Sequence, residues 1–307
     1  MLTFDLPEGV TGPQAIQDLE AAEPASVVGV NHAYTLQQGV GGADAFDYAD
    51  QLVHWPSDGC RALAPAGLID TAVDPGAPGL AGVRVIGRRF VTGGEAPTRH
   101  GTEVATVLAD PRRLRDVTLY SAAVVGDTLA GEAAGVDTLI RALDWMAGEG
   151  VRVVNVSLAG PFNKLLERAV GQAASRGLTI VAAVGNDGPD ADPRYPAAYP
   201  QVIAVTAVDA DRRIYRDAVR GPQVDIAAPG VDVFVSSGTT GRFVTGTSIA
   251  APFVSARILA DQSLLAAPDA EALRRAIAAT AEDLGGPGPD PEFGAGLLRA
   301  ETACGVV

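Results

Sequence analysis

Apolar residues along this chain fall into two kinds of run, and the two kinds alternate. Continuous aliphatic runs, as a strand buried on both faces needs, occur at Val117–Val125, Val151–Leu158 (VRVVNVSL), Leu178–Val184 (LTIVAAV) and Val202–Val208 (VIAVTAV). Around them, helix-like stretches predict helices over Ala133–Gly148, Lys164–Ser175, Ile249–Leu264 and Asp269–Thr280. Such alternation predicts parallel βαβ units with right-handed crossovers, hence an α/β fold. Residues 1–38 read separately, with strand pieces at Leu2–Leu6 and Val27–Leu36 around a helix near Gly12–Glu23, where Pro13 sits close to the start. Residues 39–63 open Gly-rich and continue without a clear period, so they read as a linker, and residues 64–307 form the main domain.

Composition narrows the class. Hydrophobic residues make up 47% and aromatics 5% of the 307 residues, so the core must be built mainly of Ala, Val, Leu and Ile. A formal net charge of -14 repels phosphates, which makes nucleic acid and anionic membranes poor partners. Lys164 is the only lysine. No apolar stretch reaches transmembrane length. Met1-Leu2-Thr3-Phe4-Asp5 lacks the basic and then apolar run of a secretory leader. Cys60 and Cys304 show no metal-type spacing; one disulfide and two separate thiols fit the sequence equally well. No cofactor is expected.

Three segments carry candidate chemistry. Gly67-Leu68-Ile69-Asp70-Thr71 is an aliphatic run ending in a carboxylate, and His100-Gly101-Thr102-Glu103-Val104-Ala105 puts a histidine before a helical pattern. Gly246-Thr247-Ser248-Ile249-Ala250-Ala251-Pro252 puts a serine at the start of a helix, with Pro252 expected in the first turn. A serine hydroxyl is a weak nucleophile until a base takes its proton, and imidazole has suitable basicity. The imidazole in turn needs a carboxylate on its other nitrogen. A helix N-terminus would aim N–H groups at a developing oxyanion. Taken singly, each signal also reads as a cap, a structural histidine or a chance Gly-Thr-Ser. Their combination in the order Asp, His, Ser is far more specific.

With these motifs, residues 64–303 resemble the subtilase family of serine proteases. HGTEVA and GTSIAAP match its histidine and serine motifs, and Val181–Gly188 (VAAVGNDG) resembles its oxyanion-hole segment. The resemblance implies a three-layer sandwich with a central, mostly parallel sheet and helices on both faces. It also implies a serine endopeptidase acting on protein or peptide substrates through an acyl-enzyme. Catalytic roles are implied for Asp70, His100, Ser248 and, as side-chain oxyanion donor, Asn186. The stretch Asn155–Gly160 looks like the strand that pairs with substrate backbone, so Ser157, Leu158, Ala159 and Gly160 are expected to bind substrate, together with Ala183 and Arg194. As a glycosylation pattern, Asn155-Val156-Ser157 lies in an expected buried strand and reads as coincidence.

Some features depart from the family pattern. Ala72 stands where the family usually has glycine, and nearby Asp74 rivals Asp70 for the carboxylate role. The segment Ala109–Asp116 is short and basic where many subtilases have a calcium-holding loop, so no metal is expected there. Arg194 either points into the specificity pocket or pairs with Asp190 or Asp192 at the surface. Residues 1–38 resemble the second half of an inhibitory propeptide, with Val30-Asn31-His32-Ala33-Tyr34 similar to its final strand. That implies a self-inhibiting segment, further sequence upstream of Met1, and a secreted or periplasmic protein. His32 and His54 then have no catalytic part.

The competing function is a non-catalytic or self-inhibited subtilase-like binding domain. GxSxG, GxGxxG after a strand, GxxxxGK[ST] and HExxH are all absent, which argues against other hydrolases and nucleotide enzymes.

Overall fold

A computed structural model of the protein describes residues 6, 10–24, 26–29, 33–36, 48–91, 96–128, 131–236 and 241–304. Most of the expected strand Leu2–Leu6, the residues Val30-Asn31-His32, and 39–47 of the expected linker lie outside these.

Seven strands form one sheet in the order Ile226–Pro229, Val202–Val208, Thr179–Ala183, Val153–Val156, Ala66–Asp70, Thr118–Ala123, Arg84–Arg89, every neighbouring pair parallel. Side chains alternate across it. Ile69, Val156 and Ile180 point to the layer holding Leu139, Leu143, Leu166 and Val170, which belong to the helices Val136–Gly148 and Lys164–Ser175. Asn155 points the other way, to Ser255 of the helix Thr247–Leu259. That second layer also contains the helix Arg99–Leu108. The expected three-layer α/β arrangement is therefore the fold.

The chain winds to one edge and back before crossing to the far half between Ala66–Asp70 and Val153–Val156. In open α/β sheets the crevice at the carboxyl ends of strands beside such a switch is where ligands bind. Asp70 ends one of these strands and Ser157 directly follows the other.

Expected elements and observed ones differ where local chemistry overrides the run of apolar residues. Lys164–Ser175 and Val202–Val208 coincide with expectation. Val117–Val125 divides into Thr118–Ala123 in the main sheet and Val125–Thr128 in a separate antiparallel sheet. The helix expected from Ala133 begins at Val136, because Gly131–Gly135 pairs as a strand with Val125–Thr128. Ile249–Leu264 is two helices, Thr247–Leu259 and Gln262–Leu265; Asp261 stops the first and caps the second, its carboxylate accepting from the N–H groups of Ser263 and Leu264. The second propeptide-like strand is shorter than Val27–Leu36 and covers Ala33–Leu36.

Residues 48–63, within the expected linker, pack into the body. Ala49, Val53, Trp55 and Cys60 are buried, and the Tyr48 hydroxyl donates to the carbonyl of Val231 at 2.6 Å. In the short basic segment, Arg113 is buried against Asp50, with its guanidinium 4.1 Å from the centre of the Phe253 ring. Cys60 and Cys304 form a disulfide across a sequence separation of 244. Beside it, buried Arg257 binds Asp261 at 2.7 Å, the carbonyl of Arg299 at 3.1 Å and the Thr302 hydroxyl at 2.9 Å, which clasps the C-terminal segment to the helix that carries Ser248.

Candidate active site

Asp70 ends a fully buried strand and is itself 0% exposed. Its Oδ1 accepts from the Thr71 N–H at 2.6 Å and meets His100 Nδ1 at 2.7 Å. The other ring nitrogen, Nε2, lies 3.1 Å from Ser248 Oγ. With its Nδ1–H donating to the carboxylate, the imidazole presents Nε2 as an acceptor toward the serine. The rival Asp74 is exposed, and its Oδ1 accepts from the Gly76 N–H at 2.9 Å as a turn residue.

The sequence around His100 explains its placement. Gly101 sits against the loop after Asp70, and a Cβ there would lie 2.6 Å from the Thr71 carbonyl oxygen and 2.8 Å from that of Ala72. Only glycine lets the histidine helix come this close. The Gly101 N–H donates to Thr71 Oγ1 at 2.7 Å, so the carboxylate loop and the histidine helix are bonded on both sides of the imidazole. Ala72, which replaces the usual glycine, leaves these contacts intact.

Ser248 is the second residue of a helix in which every residue is buried. Gly246 precedes that helix with φ 151°, a conformation that favours glycine and turns the chain sharply into the first turn. Because the helix begins at Thr247, Pro252 lies in its second turn, a correction to the expected first-turn position. Proline there removes the N–H that would bond the Ser248 carbonyl.

Asn186 follows the strand Thr179–Ala183, of which buried Ala183 is the last residue. Its Oδ1 accepts from the Thr247 N–H at 3.1 Å and from Thr247 Oγ1 at 2.8 Å. Thr247 thus fixes the amide rotamer, with Nδ2 on the side away from Thr247. The hydroxyl of Thr247, between Gly246 and Ser248, makes a contact with Asn186 that the sequence reading missed; its adjacency to Ser248 was the available signal.

The residues after Ser157 enter a second sheet. Leu158–Ala159, the strand Ala33–Leu36, Gly131–Gly135 and Val125–Thr128 form an antiparallel sheet in that order. Thr35 stands opposite Ala159 and Leu36 opposite Leu158, while Ala33 and Tyr34 face Gly135 and Ala134. Ser157 is buried like its neighbours, and its side chain points to the Ser248 carbonyl, 3.3 Å away. Gly160 pairs with Tyr195 through two backbone bonds of 3.0 and 2.9 Å. Arg194 Nε meets Asp187 at 2.9 Å; the expected partners were Asp190 and Asp192. The reason is local: the Arg194 stem packs on Gly185, two residues before Asp187, close enough that a Cβ on Gly185 would lie 3.0 Å from the arginine Cγ.

Known proteins with this arrangement are recognisable by sequence and shape. Residues 67–296 match the model of the subtilase family of peptidases. Subtilisin Savinase of Lederbergia lenta is 32% identical over 275 residues, covering 85% of this chain and 99% of that protein. Thermitase of Thermoactinomyces vulgaris is 33% identical over 243 residues, covering 73% of this chain and 83% of that protein. Fervidolysin from Fervidobacterium pennivorans, a keratinolytic enzyme related to subtilisin, superposes with a TM-score of 0.67 at 26% identity. That match covers 83% of this chain and 44% of fervidolysin, so the present chain spans under half of the larger protein's length. The buried Asp–His–Ser geometry and the family match over most of the chain lead to one conclusion: the chain belongs to the subtilase family and is a serine endopeptidase.

Proposed function

We propose that Ser248 is the nucleophile, His100 its general base, Asp70 the carboxylate that orients the imidazole, and Asn186 a side-chain oxyanion donor. The observation that carries this reading is the contact series Asp70 Oδ1–His100 Nδ1–His100 Nε2–Ser248 Oγ, at 2.7 and 3.1 Å, among three buried side chains. Ser248 Oγ attacks the peptide carbonyl as His100 Nε2 takes its proton, and the imidazolium so formed is stabilised by Asp70. Charge on the carbonyl oxygen is met by the Ser248 N–H at the helix start and by Asn186 Nδ2. His100 then gives the proton to the leaving amine, and water repeats the sequence on the acyl-enzyme.

Substrates are proteins or peptides. Pairing of Ala33–Leu36 between Leu158–Ala159 and Gly131–Gly135 supports an extended substrate strand bound mainly through its backbone, with Ser157–Gly160 along one side. The same pairing supports residues 1–38 as a self-inhibiting unit distinct from the catalytic body, because this strand occupies the place a substrate strand needs. Glu20 of the helix Gly12–Ala22 also reaches the body, pairing with Lys164. The disulfide favours an oxidising compartment, in keeping with secretion. Arg194, held by Asp187 beside Gly185 and Ala183, borders the cleft and would favour a polar side chain next to the scissile bond. Arg194→Gly is expected to raise cleavage after large apolar residues relative to polar ones in a peptide-library profile; an unchanged profile removes Arg194 from substrate selection.

A fluorophosphonate serine-hydrolase probe tests the core of this proposal. Labelling is expected in the intact chain, absent in Ser248→Ala, and faster once residues 1–38 are removed. No labelling in either the intact or the shortened protein, with folding confirmed by circular dichroism, would leave the binding-domain reading in its place.

A further inference from the structure

Behind the reacting serine runs a line of buried polar side chains for which the reaction has no direct use. Ser255 Oγ lies 3.1 Å from Asn155 Oδ1, and Asn155 Nδ2 donates to Ser157 Oγ at 2.8 Å. Ser157 Oγ in turn donates to the carbonyl oxygen of Ser248 at 3.3 Å. Asn155, Ser157, Ser248 and Ser255 are each 0% exposed. Ser255 can also donate to the Ala251 carbonyl, 3.3 Å away within its own helix.

Every link has a consistent donor direction. The Ser255 hydroxyl donates to the amide oxygen, the amide N–H donates to the Ser157 oxygen, and the Ser157 hydroxyl is left to donate to the Ser248 carbonyl. Bonds aligned this way polarise one another in a dry interior. The last bond stands where the helix cannot supply its own, because Pro252 has no N–H for the Ser248 carbonyl.

We propose that Asn155, Ser157 and Ser255 are positioning residues, a buried relay that replaces the missing helical bond and fixes the peptide unit carrying Ser248. This proposal rests on Ser248 being the nucleophile. Ser157 then has two jobs by two parts of one residue: its main chain leads into the substrate-pairing strand Leu158–Ala159, while its side chain sets the serine. The strand under the substrate and the helix holding the nucleophile are thereby joined, so that their relative position is set by hydrogen-bond geometry as well as by apolar packing. A displacement of about 1 Å at a reacting group can cost roughly 10²-fold in rate, which is the size of effect such a relay controls.

The test compares Ser157→Ala with the unaltered protein, both at full length, on a peptide substrate and with the fluorophosphonate probe. The expected result is a kcat at least tenfold lower, a KM within twofold of the parent, and slower labelling per folded molecule well below Tm. A kcat within twofold of the parent overturns the relay, whatever happens to Tm, since a merely structural bond would move Tm alone. A raised KM with unchanged kcat also overturns it, because that marks Ser157 as a substrate contact only. Should Ser157→Ala fail to fold, Ser255→Ala at the far end of the relay takes its place; a kcat threefold or more below the parent supports the relay and a parental kcat overturns it. Ser248→Ala separates the two levels: turnover surviving there removes the nucleophile assignment, whereas a dead Ser248→Ala beside a parental Ser157→Ala removes the relay alone.

Discussion

Asn186 illustrates how one side chain acquires a role from its neighbours. An asparagine between Gly185 and Gly188 reads from sequence alone as a turn residue, and it takes Thr247, bound to its Oδ1 by two hydrogen bonds, to fix which end of the amide faces the cleft. Asn186→Leu is expected to lower kcat by about 10²–10³ with little change in KM, since the proposed oxyanion donor would act on charge present only in the transition state. A steady-state measurement on one peptide substrate decides this, and a loss expressed chiefly in KM would point to ground-state binding. That Asp70, His100 and Ser248 would meet was legible because each sits in a motif whose neighbours the backbone geometry requires, as Gly101 shows. The partner of Arg194 was not legible, because Asp187, Asp190 and Asp192 are interchangeable in sequence and only the packing of the arginine stem on Gly185 selects among them.

At the scale of elements, legibility followed burial. Val202–Val208, buried at all seven positions, was evident as a strand from its aliphatic run. Arg84–Arg89 was not, because as an edge strand it carries three exposed arginines and no apolar alternation. The hairpin of Val233–Ser236 with Gly241–Val244 went unread as well, its strands being four residues each. Side-chain caps moved boundaries that hydrophobicity left open, and Asp261 is the clearest instance. Burial alone would raise the Asp261 pKa, but hydrogen bonds from Ser263 and Arg257 outweigh it and hold the carboxyl below its ordinary value of 3.8. A depressed carboxyl contributes stability that is present above its unfolded pKa and lost as pH falls through the folded one. Asp261→Asn should therefore lower Tm at pH 6, and the gap between variant and parent should close as pH falls below about 3.8. Thermal melts across that range check it; a gap that persists into strong acid would assign the effect to the cap geometry instead of the charge.

For the whole molecule, the α/β class followed from strand and helix alternation and the three layers from the family resemblance, while the covalent closure followed from neither. Two cysteines 244 residues apart leave pairing undecided until the fold brings the strand at Cys60 and the turn at Cys304 together. Replacing both by serine is expected to lower stability by about 2–5 kcal/mol, read from the denaturant midpoint, with the labelling rate of the folded protein unchanged. A parental midpoint would mean that the clasp of Arg257 on the C-terminal segment carries the closure without the bond. The helix Thr247–Leu259 has a different consequence at this scale. With every residue buried, it belongs to the most protected part of the fold, so its amide hydrogens are expected to exchange slowly, when its layer parts from the sheet. Deuterium uptake in this segment and the loss of probe labelling on heating are then expected to run in parallel, so that exposure of the helix carrying Ser248 dates the loss of activity.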